Sequence, residues 1–429
     1  MKFRISKKWR GIVKWTTIIF LAYFVLTTIY FGYDDIDART GNCNFYWSGL
    51  DEIWNRDKTF GFKINEPFDT RLNGIDGPYI IANQIYAVNA ENELTEKKLD
   101  SVRGIIVQTG LNQMPEFYVE LKKNHPLEIE EYRMPDQLVA VSDIEGNFTA
   151  FYSFLLANKI IDKKGNWIFR KGHLVLNGDF FDRGSQVTQL LWFIYHLENQ
   201  AMEAGGKVHY ILGNHEVMNL YGNASDNDFK YIEAAKRISG QTDWDKAVRY
   251  LYSENSELGK WLRSKNIIEK IGEIIFVHGG LNETHRKDRF TIAELNSTAR
   301  KYLGKIPKEA DADNREEIVI STFQSPYWDR LLNVDWKNKL YFISNGKFVQ
   351  ETSQEELDQI LKFYKVSRLV IGHSVVEDIS TGYEGKVIKI DVEHGEKINS
   401  GKTKGLLIEN EKFYKIDDKG TKTSLGVAL

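Results

Sequence analysis

The sequence predicts a mixed α/β domain, and two patterns support this prediction. Five short apolar runs, each typical of a buried strand, end close to a glycine and a polar side chain; they cover residues 138–141, 174–176, 208–212, 274–277 and 369–371. Between them, residues 148–161 and 186–203 carry apolar side chains at three- and four-residue spacing, as core-facing helices do. Ligands of open α/β sheets bind at the carboxyl ends of the strands, so we expect the five strand ends to meet in space.

The N-terminal segment predicts a membrane anchor. An uncharged run covers residues 15–33, which is about the length of a helix that crosses a bilayer. Six basic residues precede it, namely Lys2, Arg4, Lys7, Lys8, Arg10 and Lys14. Aspartates follow the run, so the positive-inside rule places residues 1–14 in the cytoplasm and the part of this single-pass protein after residue 33 on the extracytoplasmic side. A cleaved signal peptide and a buried helix are the alternative interpretations.

Beyond the anchor the sequence indicates three regions. Residues 34–135 form a connector and a strand-rich accessory region, because short apolar runs alternate there with polar turns. Residues 136–395 form the main domain, in which residues 226–265 are predicted to be a helical insertion that could cap the site. Residues 396–429 contain turn signals of hairpins and are predicted to be a C-terminal hairpin extension.

Composition excludes several classes of protein. A chain of 429 residues with 42% hydrophobic and 27% charged residues is typical of a globular protein and not of a disordered one. The net charge of −3 includes the six positive charges of the N-terminus, so the remainder is acidic and a nucleic acid is not expected as a partner. Cys43 is the only cysteine, so no disulfide can form within the chain.

The five strand ends carry side chains that could bind metal ions. The densest charges lie in the stretch 178–184, and buried ions of this kind need either ion-pair partners or a metal. The candidate ligands are Asp143, Glu145, Asp179, Asn214, His278 and His373. Mixed oxygen and nitrogen ligands favour Mn, Fe or Zn over Ca, and six ligands suit two ions that share one carboxylate. A lone carboxylate after a strand is commonly a helix N-cap, but independent caps would not also place histidines at two further strand ends.

The ordered motifs resemble a known signature. They are Asp143-x-Glu145, Gly178-Asp179-x-x-Asp182-Arg183-Gly184, Gly213-Asn214-His215-Glu216, His278-Gly279-Gly280 and Gly372-His373. Together they are similar to the signature of the calcineurin-like metallophosphoesterase superfamily, in its phosphoprotein-phosphatase-like, bacterial-type branch. Residues 325–330 also resemble an element of bacterial relatives of these phosphatases. The resemblance covers residues 136–395 and implies a β-sandwich flanked by helices.

The resemblance implies a role for each matching residue. The first ion would be held by Asp143, Glu145 and Asp179, and the second by Asp179, Asn214, His278 and His373. His215 would be the general acid that protonates the leaving oxygen, oriented by Asp182. Arg183 and Arg330 would bind the phosphoryl oxygens. A structural ion pair for Arg183 and a loop-anchoring role for Arg330 are the alternatives.

Glu145 departs from the family pattern, which usually has histidine at this position. The carboxylate adds a negative charge and a hard oxygen ligand, so we expect two divalent ions with Mn favoured, and Fe, Zn or Mg as alternatives. The extra charge is also expected to make the water at the metals less acidic.

The predicted function is a membrane-anchored binuclear-metal phosphatase that hydrolyses phosphomonoesters with a metal-bridging hydroxide. The substrate would be a small phosphorylated molecule or a phosphoprotein. A phosphodiesterase or nucleotide-polyphosphate hydrolase on the same scaffold is one alternative. An inactive metal-binding module tethered to the membrane is another alternative. The departure from the family pattern at Glu145 supports it. Six histidines lie outside the motifs and are interpreted as structural or surface residues: His125, His173, His196, His209, His285 and His394.

Overall fold

The computed structural model describes residues 7–31, 33–37, 42–46, 61–63, 70–99, 104–334, 339 and 350–428. The chain divides into two compact units, Met1–Thr70 with Val334–Glu351, and Arg71–Asn333 with Thr352–Leu429. Parts of the predicted basic segment (residues 1–6), anchor (residue 32) and connector (38–41, 47–60 and 64–69) lie outside the described residues. The domain boundaries drawn from the sequence stay predictions.

The first unit contains one helix and a small sheet. Helix α1 (Lys7–Phe31) is followed by β1 (Tyr33–Asp37), β2 (Asn42–Tyr46) and β3 (Gly61–Lys63), which pair in an antiparallel sheet with β2 in the centre. Among the residues that the structure describes, no helix is both long enough and apolar enough to cross a membrane. The anchor predicted over residues 15–33 therefore has no support, and the single-pass, extracytoplasmic location stays a prediction.

Antiparallel hairpins open the second unit. Strands β4 (Asp76–Ile81), β5 (Gln84–Val88) and β6 (Leu94–Lys98) form one sheet, and β7 (Gly104–Leu111) pairs with β8 (Met114–Glu120). In β7, Ile105 and Val107 are buried whereas Ile106 is exposed. This two-residue alternation places one face of the hairpin against the core, as the apolar and polar pattern of the sequence predicts.

The first large sheet carries three of the five predicted strand ends. Strands β10 (Gln137–Val141), β11 (His173–Asn177) and β12 (Lys207–Ile211) run parallel, with β11 in the middle. The predicted C-terminal hairpins are β18 (Lys404–Glu409), β19 (Lys412–Asp417) and β20 (Lys422–Ala428), and they extend the same sheet. Strand β18 pairs antiparallel with β10, with Leu138 opposite Ile408.

The second large sheet carries the other two strand ends. Its order is β16 (Ser380–Gly382), β17 (Val387–Lys389), β15 (Arg368–Ile371), β14 (Ile274–Val277), β13 (Ile268–Ile271) and β9 (Glu131–Tyr132). Strands β14, β15 and β17 run parallel.

A buried apolar layer joins the two large sheets. Leu138 and Ala140 of the first sheet share one cluster with Phe276 and Val370 of the second. The alternate residues of β10 instead belong to the cluster that packs against the helices. Strands covered on both faces read as continuous apolar runs, which explains why the sequence shows them so clearly.

As a group, the described helices of the second unit contribute side chains to the larger apolar cluster, together with the strands. They are α2 (Phe148–Ala157), α3 (Val187–Glu203), α4 (Asn214–Tyr221), α5 (Phe229–Ser239), α6 (Trp244–Leu251), α7 (Glu257–Arg263), α8 (Glu283–Lys287), α9 (Ile292–Tyr302), α10 (Asn314–Ile320) and α11 (Gln354–Tyr364). Helices α5 to α7 occupy the predicted insertion. Asn147 caps α2 by accepting a bond of 3.0 Å from the backbone N–H of Ala150.

A buried ion-pair network gives the second unit a pH-dependent stability. Lys265 lies between Glu198 (2.6 Å) and Glu128 (3.1 Å), and Lys207 also pairs with Glu128. Burial raises the pKa of Glu128, but Lys265 and Lys207 outweigh it and lower the pKa from 4.5 to about 2. A carboxylate whose pKa is lower in the folded state stabilises that state above pH 4.5. This contribution is lost as the pH falls toward 2.

Lys265→Met is expected to destabilise the protein by about 3–5 kcal/mol at neutral pH, because it removes the buried cation that Glu198 and Glu128 share. It should also weaken the dependence of stability on pH between 4.5 and 2. Urea unfolding at several pH values measures both effects. Lys301→Met, which removes an exposed partner of Glu316, is the matched control. Equal losses in the two variants would contradict the prediction.

Candidate metal centre and catalytic site

The turns after β10, β11 and β12 meet at one edge of the first sheet. The backbone N–H of Asp143 donates to the carbonyl of Gly178 at 2.9 Å, and that of Glu145 donates to the carbonyl of Asp179 at 3.0 Å. The third turn joins them, because the backbone N–H of His215 donates to Asp179 Oδ1 at 3.0 Å. Three of the strand ends that the sequence predicts to converge are thus held together by two backbone bonds and one bond to the side chain of Asp179.

These turns have unusual backbone conformations. Six of the predicted site residues have a positive φ: Asp143 (56°), Glu145 (49°), Asp179 (58°), Asp182 (67°), Arg183 (54°) and His373 (65°). A positive φ is uncommon for residues other than glycine, and such residues gather where a site demands a particular side-chain direction. Gly178 also has a positive φ, and a Cβ there would lie 2.4 Å from His278 Nδ1. Only glycine fits this approach.

Asp179, His278 and His373 form the centre of the site. Their ligand atoms lie within 4.8 Å of one another, and His278 Nε2 lies 2.9 Å from Asp179 Oδ2. Asn214 joins them, with its Oδ1 3.1 Å from His278 Nε2. His373 Nε2 is buried and has no hydrogen-bond partner among the described residues. A buried ring nitrogen without a partner, beside an imidazole and two side-chain oxygens, fits a divalent transition-metal ion.

The protonation states of His373 and Asp179 agree with this assignment. Burial and the charge of Arg330 lower the pKa of His373 well below its usual range, so the ring is neutral, which is the form that binds a metal. Burial raises the pKa of Asp179, but His278 and His215 outweigh it and hold that pKa well below its usual range. A neutral histidine and an ionised carboxylate therefore face each other at this position.

A second group of carboxylates lies beside Asp179. Burial and the charge of Asp391 raise the pKa of Asp143 well above its usual value. Burial also raises the pKa of Glu145, and burial with the charges of Glu145 and Asp179 raises the pKa of Asp391 to about 8. Carboxylates that disfavour one another's ionisation are stabilised by a cation between them. This group therefore fits a second metal ion with hard oxygen ligands.

His215 lies beside this centre and pairs with Asp182. His215 Nδ1 is 2.6 Å from Asp182 Oδ2, and Asp182 Oδ1 accepts bonds from Asn219 Nδ2 at 2.8 Å and Asn227 Nδ2 at 2.9 Å. Burial lowers the pKa of His215, but Asp179 and Asp182 outweigh it and raise the pKa to about 10. The other ring nitrogen, Nε2, lies 3.8 Å from Asp179 Oδ2, on the side of the metal ligands.

The two predicted phosphate-binding arginines have different surroundings. Arg183 is about half exposed, and its Nη1 donates to Glu145 Oε1. Arg330 Nη1 donates to the carbonyl of His373 at 2.5 Å and to Ser374 Oγ at 3.1 Å. Arg330 therefore holds the turn that carries His373, and Arg183 pairs with a predicted metal ligand.

Comparison with known proteins places this site in a family. The family model of the calcineurin-like phosphoesterases matches residues 137–377, which is more than half of the chain. The chain belongs to the calcineurin-like phosphoesterase family. Membership confirms the resemblance found in the sequence and supports a metal-dependent phosphoric ester hydrolase.

Individual relatives of this calcineurin-like phosphoesterase are phosphatases. Shewanella-like protein phosphatase 1 of Plasmodium berghei is 31% identical over 240 residues, which cover 56% of this chain and 61% of the relative. Shewanella-like protein phosphatase 2 of Arabidopsis thaliana is 33% identical over 213 residues, which cover 40% of this chain and 53% of the relative. The chain thus spans little more than half the length of these relatives. A solved structure, the cold-active protein-tyrosine phosphatase of a psychrophilic Shewanella, has a TM-score of 0.69 and 30% identity over 82% of this chain and 100% of that one.

Two residues of this calcineurin-like phosphoesterase site were given no role in the interpretation of the sequence. Asp391 comes two residues after β17 and is almost fully buried near Glu145. It repeats the pattern of a strand followed by a carboxylate, but lacks the adjacent glycine that marked the other strand ends. Glu216 accepts bonds from the backbone N–H groups of Asp179 (2.9 Å) and Phe180 (2.7 Å), so it positions the central carboxylate.

Proposed function

We propose that the protein is a two-metal phosphatase that hydrolyses phosphomonoesters. The observation that carries this proposal is the His215–Asp182 pair, whose imidazole lies directly beside the Asp179–His278–His373 cluster. A proton donor next to a metal cluster is what cleavage of a phosphate ester requires, because the leaving oxygen must be protonated as it departs. The sequence assigned these five residues to the same roles.

The ligand set supports two metal positions, and their different ligands favour different ions. The histidine-rich position would be held by Asp179, Asn214, His278 and His373, and the carboxylate-rich one by Asp143, Asp179 and Glu145, with Asp391 nearby. We propose Mn²⁺ or Mg²⁺ at the second position, since carboxylate oxygens suit hard cations. When bound, such ions supply an acidified water as nucleophile and positive charge opposite the phosphoryl oxygens.

The protein side chains supply the proton and the orientation. Asp182 accepts from Nδ1–H of His215 and fixes the ring, so Nε2–H is the proton that faces the leaving oxygen. Asn219 and Asn227 saturate the other oxygen of Asp182, so this carboxylate has no freedom to turn away. Half-exposed Arg183 would bind the phosphate by exchanging Glu145 for phosphoryl oxygens.

We propose an aryl phosphomonoester, such as phosphotyrosine in a peptide, as the substrate class. The Shewanella relative is named a protein-tyrosine phosphatase and covers most of this chain at 30% identity. The partial exposure of Arg183 supports a substrate that extends beyond its phosphate. A free small-molecule phosphate remains the alternative substrate.

The test measures phosphate release by the full chain with Mn²⁺, Mg²⁺ or Zn²⁺. The substrates are a phosphotyrosine peptide, the same peptide with phosphoserine, 4-nitrophenyl phosphate, bis(4-nitrophenyl) phosphate and ATP. We expect the highest kcat/KM for the aryl monoesters and at least two bound ions per chain by elemental analysis. Turnover of the diester or of ATP above the monoesters would contradict the proposal.

Glu145→His is expected to lower the KM for 4-nitrophenyl phosphate about tenfold, because it frees Arg183 from a competing carboxylate. Glu145→Gln is the matched control, since it removes the charge without adding an imidazole. Steady-state kinetics and metal analysis separate the two effects: a gain in both variants assigns it to Arg183, and a gain in the histidine variant alone assigns it to the metal. An unchanged KM in both variants contradicts the role of Arg183 in phosphate binding.

The Glu145–Arg183 pair also favours a second candidate, a metal-binding module without turnover. In that case the ion pair is structural and Arg183 does not bind phosphate. The chain would then bind two ions and release no phosphate from any substrate, and neither Glu145 variant would create activity.

A further inference from the structure

Two histidines outside the motifs form a buried chain with a glutamate. His209 Nδ1 lies 2.6 Å from Glu269 Oε2, and His209 Nε2 lies 2.9 Å from His173 Nδ1. The side chains of His209 and Glu269 are fully buried between the two large sheets. The interpretation of His173 and His209 as unconnected structural residues is therefore incomplete, because long-range packing brings them together.

The chain of bonds limits the tautomers of both rings. An ionised carboxylate only accepts, so His209 donates Nδ1–H to Glu269 and its Nε2 is the partner of His173 Nδ1. When His173 Nδ1–H is the donor of this second bond, a lone pair is left on His173 Nε2. Burial, His209 and Lys207 lower the pKa of His173 to about 4, so this neutral form prevails at physiological pH.

His173 faces a cavity on the opposite edge of the sheet from the catalytic site. It begins β11, whereas Asp179 follows the end of the same strand. The cavity has a volume of about 670 Å³, and its walls include Tyr132, Phe169 and His173. His173 Nε2 makes no hydrogen bond among the described residues. The site is large enough for a small organic molecule.

The charge of the cavity indicates the kind of molecule. Three cations, Arg133, Arg170 and Lys171, line it against one carboxylate, Asp136. Within the described part of the chain, the side chains of these three cations form no ion pair. Positive charge and a neutral imidazole acceptor together match a ligand that has both an anionic group and a hydroxyl donor.

We propose that this cavity binds a small hydroxylated anion, with its hydroxyl donating to His173 Nε2 and its carboxylate or phosphate held by Arg133, Arg170 and Lys171. The aromatic walls formed by Tyr132 and Phe169 enclose its carbon skeleton. This site is separate from the catalytic centre and does not depend on the proposed function.

The first test is the tautomer itself. NMR of the full chain with ¹⁵N-labelled histidine reads each ring nitrogen, and His173→Phe assigns the signal of His173. We expect His173 to carry its proton on Nδ1 at neutral pH. A proton on Nε2 would overturn the proposal, because the cavity would then present a donor.

The second test uses two matched pairs of probes, 4-hydroxybenzoate with benzoate and gluconate with hexanoate. We expect a hydroxylated member to shift the His173 signal in a saturable way and to bind about tenfold tighter than its partner. The signals of His278 and His373 in the same spectrum report any binding at the catalytic centre. The proposal is overturned when no probe shifts His173, or when both members of each pair bind equally.

Variants then separate the contact of the hydroxyl with His173 from the contact of the anionic group with the cations. His173→Phe should abolish the preference for the hydroxylated probe, and Arg170→Gln with Lys171→Gln should weaken both members of a pair about tenfold or more. Lys164→Gln removes an exposed cation outside the cavity and is the matched control. A loss of affinity in the control equal to that of the double variant would show that only the overall charge matters, and this too overturns the proposal.

Discussion

Asp179→Asn is expected to reduce kcat/KM about 1,000-fold or more and to lower the number of bound metal ions, since one ion stabilises the transition state by several kcal/mol. Asp179 is almost fully buried, and it is the carboxylate to which the other predicted ligands converge. Its Oδ2 faces His278 Nε2 at 2.9 Å, and its Oδ1 accepts from the backbone of His215. An amide keeps the shape but removes the negative charge that the two proposed metal positions would share.

Elemental analysis of the purified variant measures this loss, and kinetics with 4-nitrophenyl phosphate measures its consequence. Asp288→Asn is the matched control, because Asp288 is exposed and lies outside the site. Circular dichroism should show that both variants are folded, since Glu216 bonds the backbone of residue 179 and not its side chain. Two ions retained at full occupancy by Asp179→Asn would contradict the central place of this carboxylate.

The strands and their ends could be predicted because their signals are local. A parallel strand buried on both faces is a short apolar run, and the turn after it needs glycine to make room for neighbouring backbone. Gly178 shows this directly, since any side chain there would collide with His278. For this reason the sequence indicated which residues meet, from Asp143 to His373.

Contacts that depend on long-range register were harder to predict. The C-terminal strand β18 pairs with β10 although some 270 residues separate Leu138 from Ile408, and no local pattern specifies that partner. Asp391 was missed for a similar reason, because its strand end lacks the glycine that identifies the others. The pairing of Glu145 with Arg183 depends on side-chain directions set by two left-handed residues, and the sequence does not show these directions.

The helical insertion over residues 226–265 combines a local sequence pattern with a long-range contact that the sequence does not show. Its helical character was visible in the sequence, and its proximity to the site was proposed. The structure adds a specific contact, because the segment just before α5 supplies Asn227, which donates to Asp182. The insertion therefore helps to hold the carboxylate that orients His215.

His215→Asn is expected to reduce kcat by about 100- to 10,000-fold for an ester with a poor leaving group, because the proposed role of His215 is to protonate that oxygen. The loss should be much smaller for 4-nitrophenyl phosphate, whose leaving group departs without a proton. Asp182→Asn should show the same dependence on the leaving group, since an amide has one acceptor oxygen for His215, Asn219 and Asn227 and lacks the charge that stabilises protonated His215. Kinetics with phenyl phosphate and 4-nitrophenyl phosphate measure the difference.

The double variant decides whether the two residues act as one unit. If Asp182 works through His215, the double variant should be no slower than His215→Asn alone, whereas independent roles would multiply the two losses. His125→Asn changes an imidazole that pairs with Glu257 away from the site and is the matched control. Metal content should stay at the wild-type value in all of these variants, which distinguishes a lost proton donor from a lost ion. A loss that is equal for both leaving groups would contradict the proposed role of His215 as general acid.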